Sequence, residues 1–173
     1  ERRFADDEIT KSLIHGTYES NYDHQNDKLW NFEYMTEAKW IQKWLQDEFG
    51  HKAYYVPNGL DKKIMYRTEP IEKRKIRKRV ERKRVLIEGA INIPFKGMDD
   101  AYQVVNDLDC EIWIISNGGK PKHDWRYDKF FEKVQFDEMN KIYSSCDVLL
   151  KMSKVEGFFG PPMEAMACGC STV

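Results

Sequence analysis

The sequence predicts an α/β fold whose C-terminal half is a parallel sheet with helical crossovers, preceded by a shorter and less regular segment. Three observations carry this reading. From residue 84 onward, short apolar runs alternate with stretches whose apolar residues recur at helical spacing. The loops that hold glycines and charged residues follow the apolar runs, as they do where parallel strands end on one edge of a sheet. The last of these loops passes through Pro161 and Pro162 into an Ala/Met-rich segment that stops at Gly169, which is how a loop runs into a short helix.

Taken in order, residues 1–35 are polar and aromatic. Tyr18, Tyr22, Trp30, Phe32 and Tyr34 are scattered without a sustained period, so no firm element is predicted. His15 and His24 invite a catalytic reading, but neither lies in a motif, and ordinary packing or surface roles suit both better. The clearest helix spans 36–50, with Thr36 as its cap, Glu37 in its first turn and Gly50 at its end. Trp40, Ile41, Trp44, Leu45 and Phe49 share one face of it and read as core. A short strand from Ala53 then meets Pro57-Asn58-Gly59, a turn in which Gly59 tolerates positive φ and Asn58 bonds its own backbone.

Beyond residue 84 the expected elements are a strand at 85–89, a helix from near Gly97 to Leu108, and a second strand at 111–116. Met98, Ala101, Tyr102, Val105 and Leu108 fall on one side of that helix. Asp137 is placed to cap a helix carrying Met139, Ile142 and Tyr143, and a third strand follows at 147–150. After the loop and helix at 156–169, residues 171–173 begin a fourth strand. The whole is Rossmann-like, and ligands of such sheets bind beyond the carboxyl ends of the strands.

The chain has 173 residues and 20.6 kDa, enough for one good core or two small ones. Its formal net charge of −1 advertises neither nucleic acid nor a membrane. The charge is uneven, since residues 71–84 carry nine basic residues against Glu72 and Glu81. That run reads as a solvated linker or exposed helix, or as a surface drawn to anionic lipid headgroups or a polyanionic acceptor. Without interleaved aromatics or a recognition motif, it gives no case for nucleic acid. Cys110, Cys146, Cys168 and Cys170 show neither paired spacing nor a partner His, so buried, reduced cysteines and a cytoplasmic setting are expected. No apolar run approaches membrane-spanning length, and no signal peptide opens the chain.

The chemistry gathers at Glu156-Gly-Phe-Phe-Gly160-Pro-Pro-Met-Glu164-Ala-Met-Ala-Cys-Gly169, where two carboxylates stand with seven residues between them. Glu164 is expected in the first turn of the helix, with free N–H groups of the loop and helix end favouring an anionic or hydroxylated ligand. This stretch resembles the E-x7-E signature, E-G-F-G-x-P-x-x-E-A-M-A-x-G, of retaining glycosyltransferases of family 4, which have the two-domain GT-B architecture. The resemblance implies a transferase that moves a sugar from a nucleotide-diphosphate sugar to a glycan or lipid-linked acceptor with retention of configuration. It implies that Glu156 lies beside the donor sugar, that the backbone of Gly157, Phe158 and Gly160 approaches sugar and diphosphate, and that Glu164 holds the ribose diol. A carboxylate suits this last task because its two oxygens accept from neighbouring hydroxyls at once.

Gly89 to Gly97 resembles the family's G-R…K-G loop, whose Arg and Lys neutralise the leaving diphosphate. Lys96 and Gly97 match, while Ala90 stands where the Arg is usual. Gly118, in Asn117-Gly118-Gly119, matches a Gly-containing turn, and Phe136 lies where the family's backbone contacts the base. The catalytic candidates are therefore Glu156 and Lys96, and the donor-binding candidates are Glu164, Gly157, Phe158, Gly160, Gly118 and Phe136. No Asp-x-Asp pair precedes the site, so no metal and no cofactor beyond the donor are implied. On this likeness residues 1–70 end an acceptor-side domain and include the interdomain segment, to which Pro57-Asn58-Gly59-Leu60-Asp61 is similar. Residues 71–83 form a basic linker, and 84–173 form a nucleotide-sugar-binding domain cut short at its C-terminus. Such a piece is expected to be inactive alone, and peripheral contact with the inner membrane face through 71–84 is a further expectation. The alternative is a non-catalytic module of the same fold that binds a nucleotide or sugar phosphate, which the missing Arg at Ala90 makes worth keeping beside the first reading.

Overall fold

The computed structural model describes residues 33–73 and 81–173, together with residues 22–23, 28–29, 76–77 and 80, whose backbone alone is described. The chain forms two compact units, Glu1–Gly59 and Leu60–Val173. His15, Tyr18, His24, Trp30 and Phe32 lie outside the described residues.

In the first unit, strands β1 (Tyr22–Asp23) and β2 (Lys28–Leu29) pair antiparallel. Strand β3 (Tyr34–Thr36), helix α1 (Lys39–Phe49) and strand β4 (Ala53–Tyr55) make a β-α-β turn of chain, with β3 and β4 parallel and Tyr34 opposite Ala53. Thr36 does not cap the helix. It closes β3, and Ala38 takes the cap position without a side-chain bond. Gly50 ends the helix as expected, left-handed at φ 68°, so that its N–H donates to Gln46 and that of His51 to Leu45. Tyr34, Leu45 and Ala53 form the core, with Ile41, Trp44 and Phe49 against it. Trp40, expected in that stripe, is exposed.

The second unit is built on five parallel strands: β7 (Arg84–Glu88), β8 (Glu111–Ser116), β9 (Lys129–Glu132), β10 (Val148–Leu150) and β11 (Ser171–Thr172). A small antiparallel pair, β5 (Ile76–Arg77) and β6 (Val80–Glu81), precedes them. The spatial order is β11-β10-β7-β8-β9, and every neighbouring pair is parallel. By order of appearance this is 5-4-1-2-3, the doubly wound arrangement, whose direction of winding reverses between β7 and β10. Helix α2 (Met98–Asn106) links β7 to β8, α3 (Met139–Ser145) links β9 to β10, and α4 (Gly160–Ala167) links β10 to β11. The expected parallel sheet with helical crossovers is thus the fold observed.

Strands β7, β8 and β10 are apolar without alternation because both faces of the sheet are covered there. Val85, Ile87, Ile112 and Ile114 pack with Met98, Ala101, Tyr102 and Val105 of α2. Leu86, Trp113, Ile115 and Leu149 pack on the other face with Met139, Ile142 and Tyr143 of α3 and Ala165 of α4. Leu108, expected on the α2 stripe, lies past the helix end and is exposed. Asp137 falls inside a 3-10 turn, Phe136–Glu138, and does not cap α3.

Residues 60–71 and Arg84 pack into the second unit. Met65 is buried in the second unit's core, and Leu60 and Ile64 pack against it. The N–H groups of Thr68 and Ile71 donate to Ser144 and Ser145 at 2.9 and 2.8 Å. Residues 60–71 therefore belong with the second unit, because their apolar residues and backbone donors find partners on α3. Arg84, the last residue of the basic run, is fully buried and unavailable to any anionic surface. Its guanidinium donates to Glu111 through Nε and Nη2 at 3.1 Å and to the Ser145 carbonyl at 2.8 Å, and lies over the Trp113 ring. Parts of 71–84 lie outside the described residues. Among the described residues no helix is long and apolar enough to cross a membrane.

Candidate functional site

The reversal point of the sheet falls between the loops that follow β7 and β10, where open α/β sheets hold their ligands. The first loop leaves β7 at Glu88, forms a 3-10 turn at Pro94–Lys96 and enters α2 through Gly97, which is left-handed at φ 65°. A side chain at Gly97 would overlap the carbonyl oxygen of Met152 in the second loop, so only glycine allows this approach. The two loops are further joined by the Lys154 N–H, which donates to the Phe95 carbonyl at 2.8 Å.

This contact brings the two residues expected to be catalytic together. The Lys96 ammonium donates to Glu156 Oε1 at 2.9 Å and to Oε2 at 2.8 Å, with both side chains partly buried. The α2 end behind Lys96 is less positive than a bare helix terminus, since Asp99 and Asp100 occupy its first turn.

After Glu156 the chain passes Gly157 and Phe158 and enters α4 at Gly160. A methyl group placed on Gly160 would sit 3.4 Å from Glu164 Oε1 and 3.8 Å from the Phe158 ring, so these three residues form one corner. Glu164 is the fifth residue of the helix, one turn further in than expected. The helix end also offers fewer donors than expected: Pro161 and Pro162 have none, and the Gly160 N–H is bonded to the Phe158 carbonyl. Glu164 Oε2 accepts from the Tyr143 hydroxyl of α3 at 3.2 Å. Burial holds the Glu164 carboxyl above the usual carboxylate range, with the Tyr143 hydrogen bond working against it. Burial also pushes the Tyr143 phenol far up, which keeps it a donor.

Gly118 follows β8 and packs against the first loop. Its carbonyl accepts from the Asn92 N–H at 3.1 Å and the Ser116 hydroxyl at 2.8 Å, and a Cβ on it would strike the Asn92 side chain. Ala90, where the resemblance leads one to expect an Arg, is buried beside it. Phe136 opens the 3-10 turn before α3 and is exposed.

Sequence reasoning passed over an ion pair at the reversal point. Lys151, just after β10, donates to the Glu88 carboxylate at 2.5 Å and to the Glu88 carbonyl at 3.2 Å. The available signal was that two apolar runs end in opposite charges, Leu86-Ile87-Glu88 and Leu149-Leu150-Lys151. Among the described residues no cluster of three or more His, Cys, Asp or Glu gathers as a metal site.

A five-stranded doubly wound sheet with charged groups and glycine-held loops gathered at its reversal point belongs to the open α/β class, whose ligands bind at that edge. No family model matches the chain. Over 169 residues it is 25% identical to an uncharacterized glycosyltransferase of Methanocaldococcus jannaschii, a likeness that covers 92% of this chain and 43% of the relative. The chain thus spans less than half the length of the curated relative it matches. In structure it is similar to sucrose-phosphate synthase from Thermosynechococcus elongatus, with a TM-score of 0.60 at 16% identity, over 80% of this chain and 39% of that one. The C-terminal domain of a group 1 glycosyl transferase from Francisella tularensis superposes with a TM-score of 0.47 at 22% identity, over 66% of this chain and 69% of that one. The sequence likeness is glycosyltransferase homology, and the fold is shared with the synthase.

Proposed function

We propose that the chain is the donor-binding part of a retaining glycosyltransferase of family 4, which moves a sugar from a nucleotide-diphosphate sugar to a glycan or lipid-linked acceptor. The observation that carries this reading is the Lys96–Glu156 pair at the reversal point, with Glu164 one helical turn beyond the same loop. The glycosyltransferase relative and the E-x7-E spacing support it.

The proposed chemistry follows from the charges. An entering diphosphate accepts from Lys96, and Glu156, released from the ammonium, turns to the hydroxyls of the donor sugar. As the glycosidic bond breaks, positive charge grows on the sugar next to Glu156 and negative charge on the diphosphate next to Lys96. The loop backbone near Gly157 adds to the second effect, while the Gly160 N–H stays with the Phe158 carbonyl. Glu164 binds the ribose diol and takes no part in bond breaking, and the backbone near Phe136 meets the base. Leaving-group charge is met by Lys96 and backbone donors, without a metal ion.

The test is donor turnover by a protein that carries this chain and spans the length of its curated relative, measured as nucleotide diphosphate released with and without acceptor glycans. Loss of release in Glu156→Ala, with the protein still folded, is the expected result; unchanged release contradicts the proposal. This chain by itself is expected to give no turnover.

A further inference from the structure

One hydrogen bond ties the two crossover helices that cover the same face of the sheet. Tyr143 stands in α3 and Glu164 in α4, and the phenol donates to Glu164 Oε2 at 3.2 Å. The Tyr143 ring has no exposure and belongs to the core that holds Leu86, Trp113 and Ala165. A phenylalanine would fill that space equally well, so packing accounts for the ring and leaves the hydroxyl to be explained. Burial keeps the phenol protonated, and it therefore remains a donor.

The bond decides how the Glu164 carboxylate is presented. A glutamate side chain has several staggered rotamers, and fixing one of them only when a ligand arrives counts against affinity. Here Oε2 is held against α3. Oε1 lies on the Gly160 side, 3.4 Å from where a methyl group on that residue would sit, and so toward the helix end at which the loop from Glu156 arrives. An ionised carboxylate has lone pairs for about four hydrogen bonds. Tyr143 takes one, and enough remain for two neighbouring hydroxyls.

We propose that Tyr143 is a positioning residue for the nucleotide site: its hydroxyl anchors Glu164 so that the carboxylate meets a ribose diol already oriented, and preference for ribose over 2′-deoxyribose depends on that anchor. The ribose half of this statement rests on the function proposed above; the anchoring of Glu164 by Tyr143 does not.

The experiment is calorimetric binding of UDP, GDP and ADP, each beside its 2′-deoxy form, to this 173-residue chain and to Tyr143→Phe, Glu164→Gln and Tyr143→Phe/Glu164→Gln. The parent is expected to bind the preferred ribonucleotide about tenfold more tightly than its 2′-deoxy form. Tyr143→Phe should weaken the ribonucleotide about fivefold and the 2′-deoxy form less, so that the preference shrinks. The double variant should bind no more weakly than Glu164→Gln, because the hydroxyl acts through that carboxylate. A hydroxyl with a merely structural role would weaken both forms alike and add to Glu164→Gln. If Tyr143→Phe does not fold, the Tyr143 hydroxyl proton of the parent carries the test by NMR, and its resonance must move or vanish in Glu164→Ala. Nucleotide binding that depends on Glu164 but ignores Tyr143→Phe, or a hydroxyl resonance unchanged in Glu164→Ala, overturns the anchor and leaves the proposed function standing. A parent that binds no nucleotide, or binds ribose and 2′-deoxyribose forms equally, overturns the ribose role itself.

Discussion

The Lys96 ammonium holds both oxygens of the Glu156 carboxylate, at 2.9 and 2.8 Å, and so joins the loop after the first strand of the sheet to the loop after the fourth. The side chains are 25% and 19% exposed, so water screens the pair, and its share of folding stability is no more than about 1 kcal/mol. Its consequence is for binding. A diphosphate that takes the ammonium has to compete with a carboxylate already there.

That competition gives opposite expectations for the two partners. Lys96→Ala should weaken nucleoside diphosphate binding about tenfold, or about 1.4 kcal/mol. Glu156→Gln should tighten it, because the competing charge is gone, while transfer is lost. Both variants should melt within about 4 °C of the parent. Calorimetry decides the matter, and weaker binding in Glu156→Gln counts against the competition.

Arg84 and Glu111 are a different case, both fully buried and paired across β7 and β8. Removing one partner strands the other charge away from water, so Glu111→Leu should cost about 3–5 kcal/mol in urea unfolding. Arg84→Met/Glu111→Leu together should recover most of that loss. A double variant no better than the single one means that the bond to the Ser145 carbonyl and the Trp113 contact carry the stability instead.

Gly97→Ala tests the approach of the two loops. The left-handed backbone alone costs alanine about 1–2 kcal/mol, and the methyl overlaps the Met152 carbonyl. The expected loss is at least about 2 kcal/mol in urea unfolding, accompanied by weaker diphosphate binding as Lys96 is displaced. An unchanged unfolding midpoint shows that the loops separate without cost.

Glu164 should make the protein less stable than it need be near neutral pH. Burial raises its folded value above the 4.5 of a free side chain. A carboxyl so raised contributes its stability below the unfolded value and loses it as pH rises through the folded one. Glu164→Gln should therefore raise the melting temperature near pH 7, with the gain shrinking as pH falls towards about 4.5, and should impair nucleotide binding. A gain that does not depend on pH contradicts this origin.

Much of the sheet was legible because β7, β8 and β10 are buried on both faces and read as unbroken apolar runs. The loop and helix at the site were legible through Pro161, Pro162 and Gly169, which act locally. What escaped notice depends on partners distant in sequence. Tyr34–Thr36 is too short to show a period, and β9 is an edge strand with charged Lys129 and Glu132 at its ends. Arg84 looks like the rest of its basic run until Glu111 is set beside it by strand register. The Glu88–Lys151 pair needs the strand order, which no local pattern encodes.

The most direct measurement is calorimetric binding of UDP, GDP, ADP and dTDP to this chain, with Glu164→Ala alongside. One nucleotide is expected to bind, and the variant to lose at least about tenfold in affinity, as the role proposed for the Glu164 carboxylate in holding two hydroxyls requires. Nucleotide binding that is the same in Glu164→Ala as in the parent would contradict it.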